Sequence, residues 1–184
     1  MRRSLSILKW FLIGWGALSF ILVTLFVALI AYQIGPGNRS VNDAASVHDV
    51  RFVLNWCNLG DDRIEKVIHS HVSSHSFTGD HLDAYAIKAS HLSLEELTAN
   101  KGDDMSGRWY RGDQLPKVLD DAVAFVGEIQ ESEFPWFPKE SELRSDQFYV
   151  YPWSIYVHGI RPTSVQIIFV RPSDKMVFYI DAKT

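Results

Sequence analysis

The chain has 184 residues, 22% of them charged, and a formal net charge of −4. That length holds one domain and an appendage. The acidic balance speaks against a nucleic-acid binder, and a single cysteine, Cys57, rules out an internal disulfide.

The appendage comes first. Residues 1–10 carry Arg2, Arg3 and Lys9, whereas the 22 residues from Phe11 to Tyr32 carry no charge. At ~1.5 Å per residue, a helix of that length crosses a hydrocarbon core of roughly 30 Å. Trp10, Trp15 and Tyr32 lie near its ends, where amphipathic rings favour the membrane interface. The run exceeds the roughly 7–15 apolar residues of a cleaved signal, and "LIA" at 29–31 is a poor cleavage site. The expectation is a retained single-pass transmembrane helix, a signal-anchor, over 11–32. Positive charge stays inside, so residues 1–10 are expected in the cytoplasm and the rest outside. In a bacterial cell that means the inner (cytoplasmic) membrane and the periplasm. All 22 acidic residues but only 15 of the 18 basic ones lie beyond residue 32, so this portion is net −7 (15 minus 22). That disfavours a basic grip on anionic lipid headgroups.

Residues 33–46, "QIGPGNRSVNDAAS", are polar with two Gly and one Pro and read as a tether. An extracytoplasmic domain over 47–184 follows. "SVHDVRFVLNWCNLG" is expected to be helical, with Ser46 and Asp49 at capping-box spacing and Gly60 as a terminator. Residues 64–77 and 81–89 read as a hairpin, with Gly79-Asp80 as a type II′ turn setting Val72 opposite Ile87. "SLEELTAN" offers Ser93 and Glu96 as a capping box. The strongest helical stripe runs through Leu115, Val118, Leu119, Ala122, Val123, Val126 and Ile129, with Asp113 as its cap and Pro116 in its first turn. "FYVYPWSIYVHG", "SVQIIFVRP" and "MVFYIDA" are three strands joined by the turns "GIRPT" and "RPSDK". Pro152 puts the first of them at an edge or a bulge. "QIIFV", apolar on both faces, belongs at the centre. The order α-β-β-α-α-β-β-β predicts an α+β domain, an antiparallel sheet of about five strands with helices on one face.

Two groups of residues are candidates for chemistry. His69 and His71 share one strand face roughly 6.6 Å apart at ~3.3 Å per residue, a spacing that can chelate zinc. His75 shares that face, whereas the expected register turns His81 away, so a four-histidine site fails. A solvated, His-rich strand face is the simpler reading. "KGDDMSGRWYRGD", 101–113, sets Arg108, Trp109, Tyr110 and Arg111 among three glycines, the composition of a binding hot spot. "EFPWFPKE", 133–140, adds Trp136 and Phe137 between two stiffening prolines. The competing reading of both loops is aromatic packing over the core. Neither G-x-S-x-G nor H-E-x-x-H is present. The expectation is a membrane-anchored, non-catalytic module that binds a protein partner or an envelope component. The alternatives are a metal-dependent enzyme or metal-binding domain using His69 and His71, and an inhibitor or immunity-type protein.

Overall fold

The structure, a computed structural model, describes residues 2–35, 39–74, 76, 79–99, 105 and 107–184. It divides into two compact units, residues 1–39 and 40–184. The first is one helix, α1 (Arg2–Ile34). Within it Lys9–Tyr32 has a mean hydropathy of 2.4, and none of that stretch is buried against protein. This is long and apolar enough to cross a membrane or to serve as a signal sequence.

The second unit begins at Ser40, inside the stretch read as a tether. Its elements in chain order are β1 (Val41–Asn42), α2 (Arg51–Trp56), β2 (Ile64–Val72), β3 (His81–Ala89), α3 (Leu94–Thr98), β4 (Tyr110–Arg111), α4 (Lys117–Glu133), α5 (Glu140–Leu143), β5 (Tyr149–His158), β6 (Arg161–Arg171) and β7 (Met176–Lys183). The seven strands form one sheet in the order β1-β2-β3-β7-β6-β5-β4, every neighbouring pair antiparallel. The α+β reading therefore stands, with seven strands in place of about five. The two additional strands are two-residue edges. β1 comes from the stretch read as a tether and β4 from the glycine-rich loop, too short to leave a periodic signal.

The helices also lie on both faces, not on one. The reason is visible in β3, β6 and β7, whose alternate residues are apolar in both directions. Ala84, Ala86, Ile167, Phe169, Phe178 and Ile180 face one core with Leu119, Ala122, Val123 and Val126 of α4, Leu143 of α5, Phe134 and Phe137. Tyr85, Ile87, Ile168, Val170, Val177 and Tyr179 face the other with Val53 and Leu54 of α2, Leu97 of α3 and Trp109. Each fully buried aliphatic side chain contributes about 1.5–3 kcal/mol by leaving water. Neither face of the sheet is stable bare.

Local chemistry fixes the ends. Ser93 and Glu96 form the expected capping box at α3, and Glu96 also takes a two-pronged ion pair from Arg63 at 2.7 Å to each oxygen. Arg63 ends the turn before β2, so α3 is tied to the start of that strand. One of the two register shifts of β5 on β6 falls between Pro152 and Ser154, where the missing N–H of proline is tolerated; the other falls between Tyr156 and Val157. α4 begins at Lys117, after Pro116. Asp113 does not cap it but holds Arg111 through two hydrogen bonds of 2.5 and 2.8 Å.

The β2–β3 hairpin is wider than the expected tight turn. Val72 pairs with Asp83, not Ile87, a register four residues away, and the chain from Ser73 to Asp80 is a longer connection. Serine hydroxyls and the Asp83 carboxylate hold it: Leu82 N–H donates to Ser73 Oγ at 2.6 Å, and Ser73 N–H donates to Asp83 Oδ1 at 3.1 Å. They add to the backbone bonds there, Ser73 N–H to Leu82 O at 3.2 Å and Ser76 N–H to Asp80 O at 2.9 Å.

Phe169 is fully buried in the α4-side core. Phe169→Ala is expected to destabilise the domain by about 3–5 kcal/mol. Urea unfolding of the full-length chain in detergent, followed by tryptophan fluorescence, measures the loss.

Candidate functional site

His69 and His71 do share a face, on which the His69 side chain is 40% exposed and His71 is buried. They lie opposite Ala86 and Ala84, on the α4 side of the sheet. The His71 ring is 7% exposed and packs 5.5 Å from Phe134; the His69 ring stacks on Trp136 at 5.3 Å. Each Nδ1–H is turned to a neighbour from the β1 segment, His71 to Asn42 Oδ1 at 2.7 Å and His69 to Asp43 Oδ1 at 3.3 Å. Among the described residues no three His, Cys, Asp or Glu side chains come together as a metal site. His75 lies outside the described residues. The two rings pin the short edge strand β1 against β2.

The aromatic loops are placed differently from one another. Trp109 is buried against Tyr151 at 5.0 Å and forms a wall of a cleft of about 300 Å³ with Cys57, Leu59, Glu96 and Tyr151. Tyr110 and Arg111 make β4, and Arg111 faces solvent beside Asp113. Arg108 is half-buried. Phe137 is buried and Trp136 half-buried, both within a run of ring contacts with Phe134. Burial pushes the Cys57 thiol up to about 12, well above a reactive range. The structure thus gathers His69, His71, Trp136 and Phe137 around Phe134 on the α4 side, and leaves Trp109 in the other core and Tyr110 and Arg111 on the edge strand.

The structure also brings together a set of residues at one end of the sheet, on the α2 side. Val72, Asp83, Asp181 and Gln166 lie in one row across β2, β3, β7 and β6. Ser154 continues that row on β5, and beyond it Tyr156, Ser164, Lys183 and His81 extend the same face; none of these is buried. On the opposite face of the same strands, Val165, Ile167, Ile180 and Ala182 are fully buried under the α4 layer. The cover is one-sided here because α2 is six residues long and ends at Trp56.

The rim of this open half is aromatic. Trp56 and Trp153 stack at 4.8 Å with planes 6° apart, and Phe52 meets Tyr179 edge-on at 5.3 Å. Trp153 reaches this face because the β5 bulge re-aims it. It is 40% exposed, and Tyr156 is 68% exposed.

Its floor is built around Asp181. This carboxylate accepts hydrogen bonds from Gln166 Nε2 at 2.8 Å and the Tyr179 hydroxyl at 3.4 Å, and it pairs with His81 Nε2 at 3.0 Å. Asp83 stands directly opposite Asp181 in the ladder, a like-charge pair that destabilises on its own. His81 resolves it. Burial works against a charged His81 ring, but the Gly79 carbonyl and the Asp181 and Asp83 carboxylates outweigh that and raise its affinity for a proton. Both ring nitrogens donate, Nδ1–H to Gly79 O at 2.9 Å and Nε2–H to Asp181. A ring held this way, with both nitrogens facing acceptors, favours its protonated form. The arrangement offers flat aromatic surface beside fixed donors and acceptors, the chemistry of recognition.

Sequence reasoning missed this site. The residues are spread over β3, β5, β6 and β7, and their common face follows only from the register. The signal that was present is Ser164, Gln166 and Asp181 interrupting strands otherwise apolar on both faces. Comparison of the chain with protein-family models, with curated proteins and with solved structures returns no match.

The folded state raises the proton affinity of His81, so its contribution to stability is full below its ordinary pKa of ~6.5 and fades as pH rises through the raised value. His81→Gln removes that dependence. Urea unfolding from pH 5.5 to 9 is expected to show the wild type losing its advantage over His81→Gln as pH rises; a gap that widens with pH would contradict the assignment.

Proposed function

We propose that this protein is a single-pass membrane-anchored module that binds a protein partner outside the cytoplasm, without catalysis. α1 is the anchor, with residues 1–10 in the cytoplasm and the domain on the far side of the inner (cytoplasmic) membrane. The uncharged run, the basic residues before it and their scarcity just after it support this topology.

One observation carries the binding role: the half of the sheet left open on the α2 side, rimmed by Trp153 and Tyr156 and floored by Gln166, Asp181 and Ser164. Exposed aromatics beside ordered polar groups are what interfaces concentrate. The β5 bulge that re-aims Trp153 towards this rim adds to the reading, since bulges recur where a side chain must be presented. The earlier candidates contribute less, because Trp109 and Phe137 are buried in the two cores.

The test is site-specific photocrosslinking in intact cells, with the photoreactive residue replacing Tyr156 in one full-length variant and Lys117 in another. A discrete crosslinked protein is expected from position 156 and not from 117, and Trp153→Ala is expected to weaken its capture about tenfold or more. Equal crosslinking from both positions, or capture indifferent to Trp153→Ala, would remove the open face as the site. A reporter that is active only outside the cytoplasm, fused after Thr184, is expected to be active; an inactive fusion overturns the topology.

A further inference from the structure

Four separate elements converge on the cleft beside Trp109. Cys57 and Leu59 follow α2, Glu95 and Glu96 belong to α3, Trp109 precedes β4, and Tyr151 lies on β5. The cleft holds about 300 Å³. Small-molecule sites run from roughly 300 to 1,000 Å³, so its occupant is small. The walls are largely apolar: the two aromatic rings, Leu59 and the Cys57 sulfur. The Cys57 thiol donates to Val53 O at 3.3 Å and to Leu54 O at 3.4 Å, which turns its proton to α2 and leaves a soft, apolar sulfur as lining.

Two polar groups in these walls are left over. Tyr151 is 3% exposed and Trp109 7%. Among the described residues, neither the Tyr151 hydroxyl nor the Trp109 indole N–H makes a hydrogen bond. The hydroxyl stands 3.9 Å from the point a Cβ would occupy at Gly107, which also lines the cleft, so it is aimed into that space. Burial raises the pKa of the Tyr151 phenol, so it keeps its proton and remains a donor. A buried hydroxyl with nothing to bind is destabilising, and a ligand oxygen at this point would satisfy it.

The mouth carries the charge. Glu96 places both carboxylate oxygens on Arg63, at 2.7 Å each. Glu95 is exposed, and among the described residues its carboxylate has no partner. One carboxylate is therefore uncompensated at the opening, which attracts a cation and repels an anion.

We propose that this cleft is a site for a small aromatic amine. The ring lies against Trp109 and Leu59, an oxygen on the ring accepts the hydrogen bond of Tyr151, and the ammonium sits at Glu95. Aromatic walls suit a ring, the phenol calls for an acceptor, and the lone carboxylate calls for a positive charge. The site lies within residues 40–184 and shares no residue with the open half of the sheet, so it stands or falls apart from the anchor and the protein partner.

The probe is tyramine, whose ring carries a hydroxyl at one end and an ethylammonium at the other. Phenethylamine lacks the oxygen, and 4-hydroxyphenylacetate reverses the charge. The full-length chain in detergent is labelled with fluorotryptophan, which gives a fluorine signal for each of its six Trp residues. Trp109→Phe identifies the signal of residue 109. Tyramine is expected to move that signal saturably below ~10 mM, as a millimolar site does. Phenethylamine is expected to bind about fivefold more weakly, and 4-hydroxyphenylacetate not at all. Tyr151→Phe keeps the ring, and is expected to weaken tyramine about fivefold while leaving phenethylamine unchanged. If that variant disturbs the remaining Trp signals, Glu95→Gln on the surface replaces it, with an expected loss of about threefold. A Trp109 signal that tyramine does not move saturably overturns the site. Equal binding of phenethylamine or of 4-hydroxyphenylacetate overturns it as well, as does a tyramine affinity indifferent to the substitution.

Discussion

An antiparallel sheet whose central strands are apolar on both faces must be covered twice. That constraint organises the domain. β3, β6 and β7 place alternate residues into two separate cores, one closed by α4, α5 and the Phe134–Phe137 turn, the other by α2, α3 and Trp109. Short elements that look incidental in the chain are necessary under this rule. α2 has six residues and α3 five, yet between them they place Val53, Leu54 and Leu97 over half a sheet.

The candidate site is where the second cover stops. At that end the strands exchange apolar residues for Ser164, Gln166, Asp181 and Asp83 on one face while staying apolar on the other. Placing two aspartates in register would weaken the ladder. It is tolerable because His81, Gln166 and the Tyr179 hydroxyl all turn toward Asp181. The same network orders the floor of the open face. The stability of this end of the sheet and the order of its open face therefore have one origin, in how a pair of like charges is offset.

Much of this fold was legible where a local rule carried the information. The charge-free run, the Ser93–Glu96 capping box, the helical stripe from Leu119 to Val126 and the Pro152 bulge each depend on neighbours in sequence, and each is present. What was not legible depends on partners far along the chain. β1 and β4 are strands only because β2 and β5 offer an edge. The Gly79-Asp80 pair has the residues of a tight turn, but the register of β2 on β3 is set further along the chain, where Ser73 and Asp83 side chains reinforce the pairing of Ser73 with Leu82. The assignment of His69 and His71 to one face was sound, because a four-residue register change preserves parity. Its environment was not, since nothing near Ala84 and Ala86 reveals that Phe134 and Trp136 will cover them. Small residues on a strand face mark either solvent or a close-packed neighbour, and sequence alone does not separate the two.

The edge strand β1 gives the domain a mechanical character. The chain from the apolar helix reaches the sheet through Val41 and Asn42, and those residues are fastened by the ladder to β2, by His71 to Asn42, and by Asp43 and Ala45 to Ser70. Tension drawn along the strand loads these bonds side by side rather than one after another. The clip has to shear before any force reaches α2 and the core behind it, and such resistance is governed by the rate of rupture rather than by equilibrium stability. Two residues of strand, with a histidine at their side, thus act as strain relief for everything that follows them.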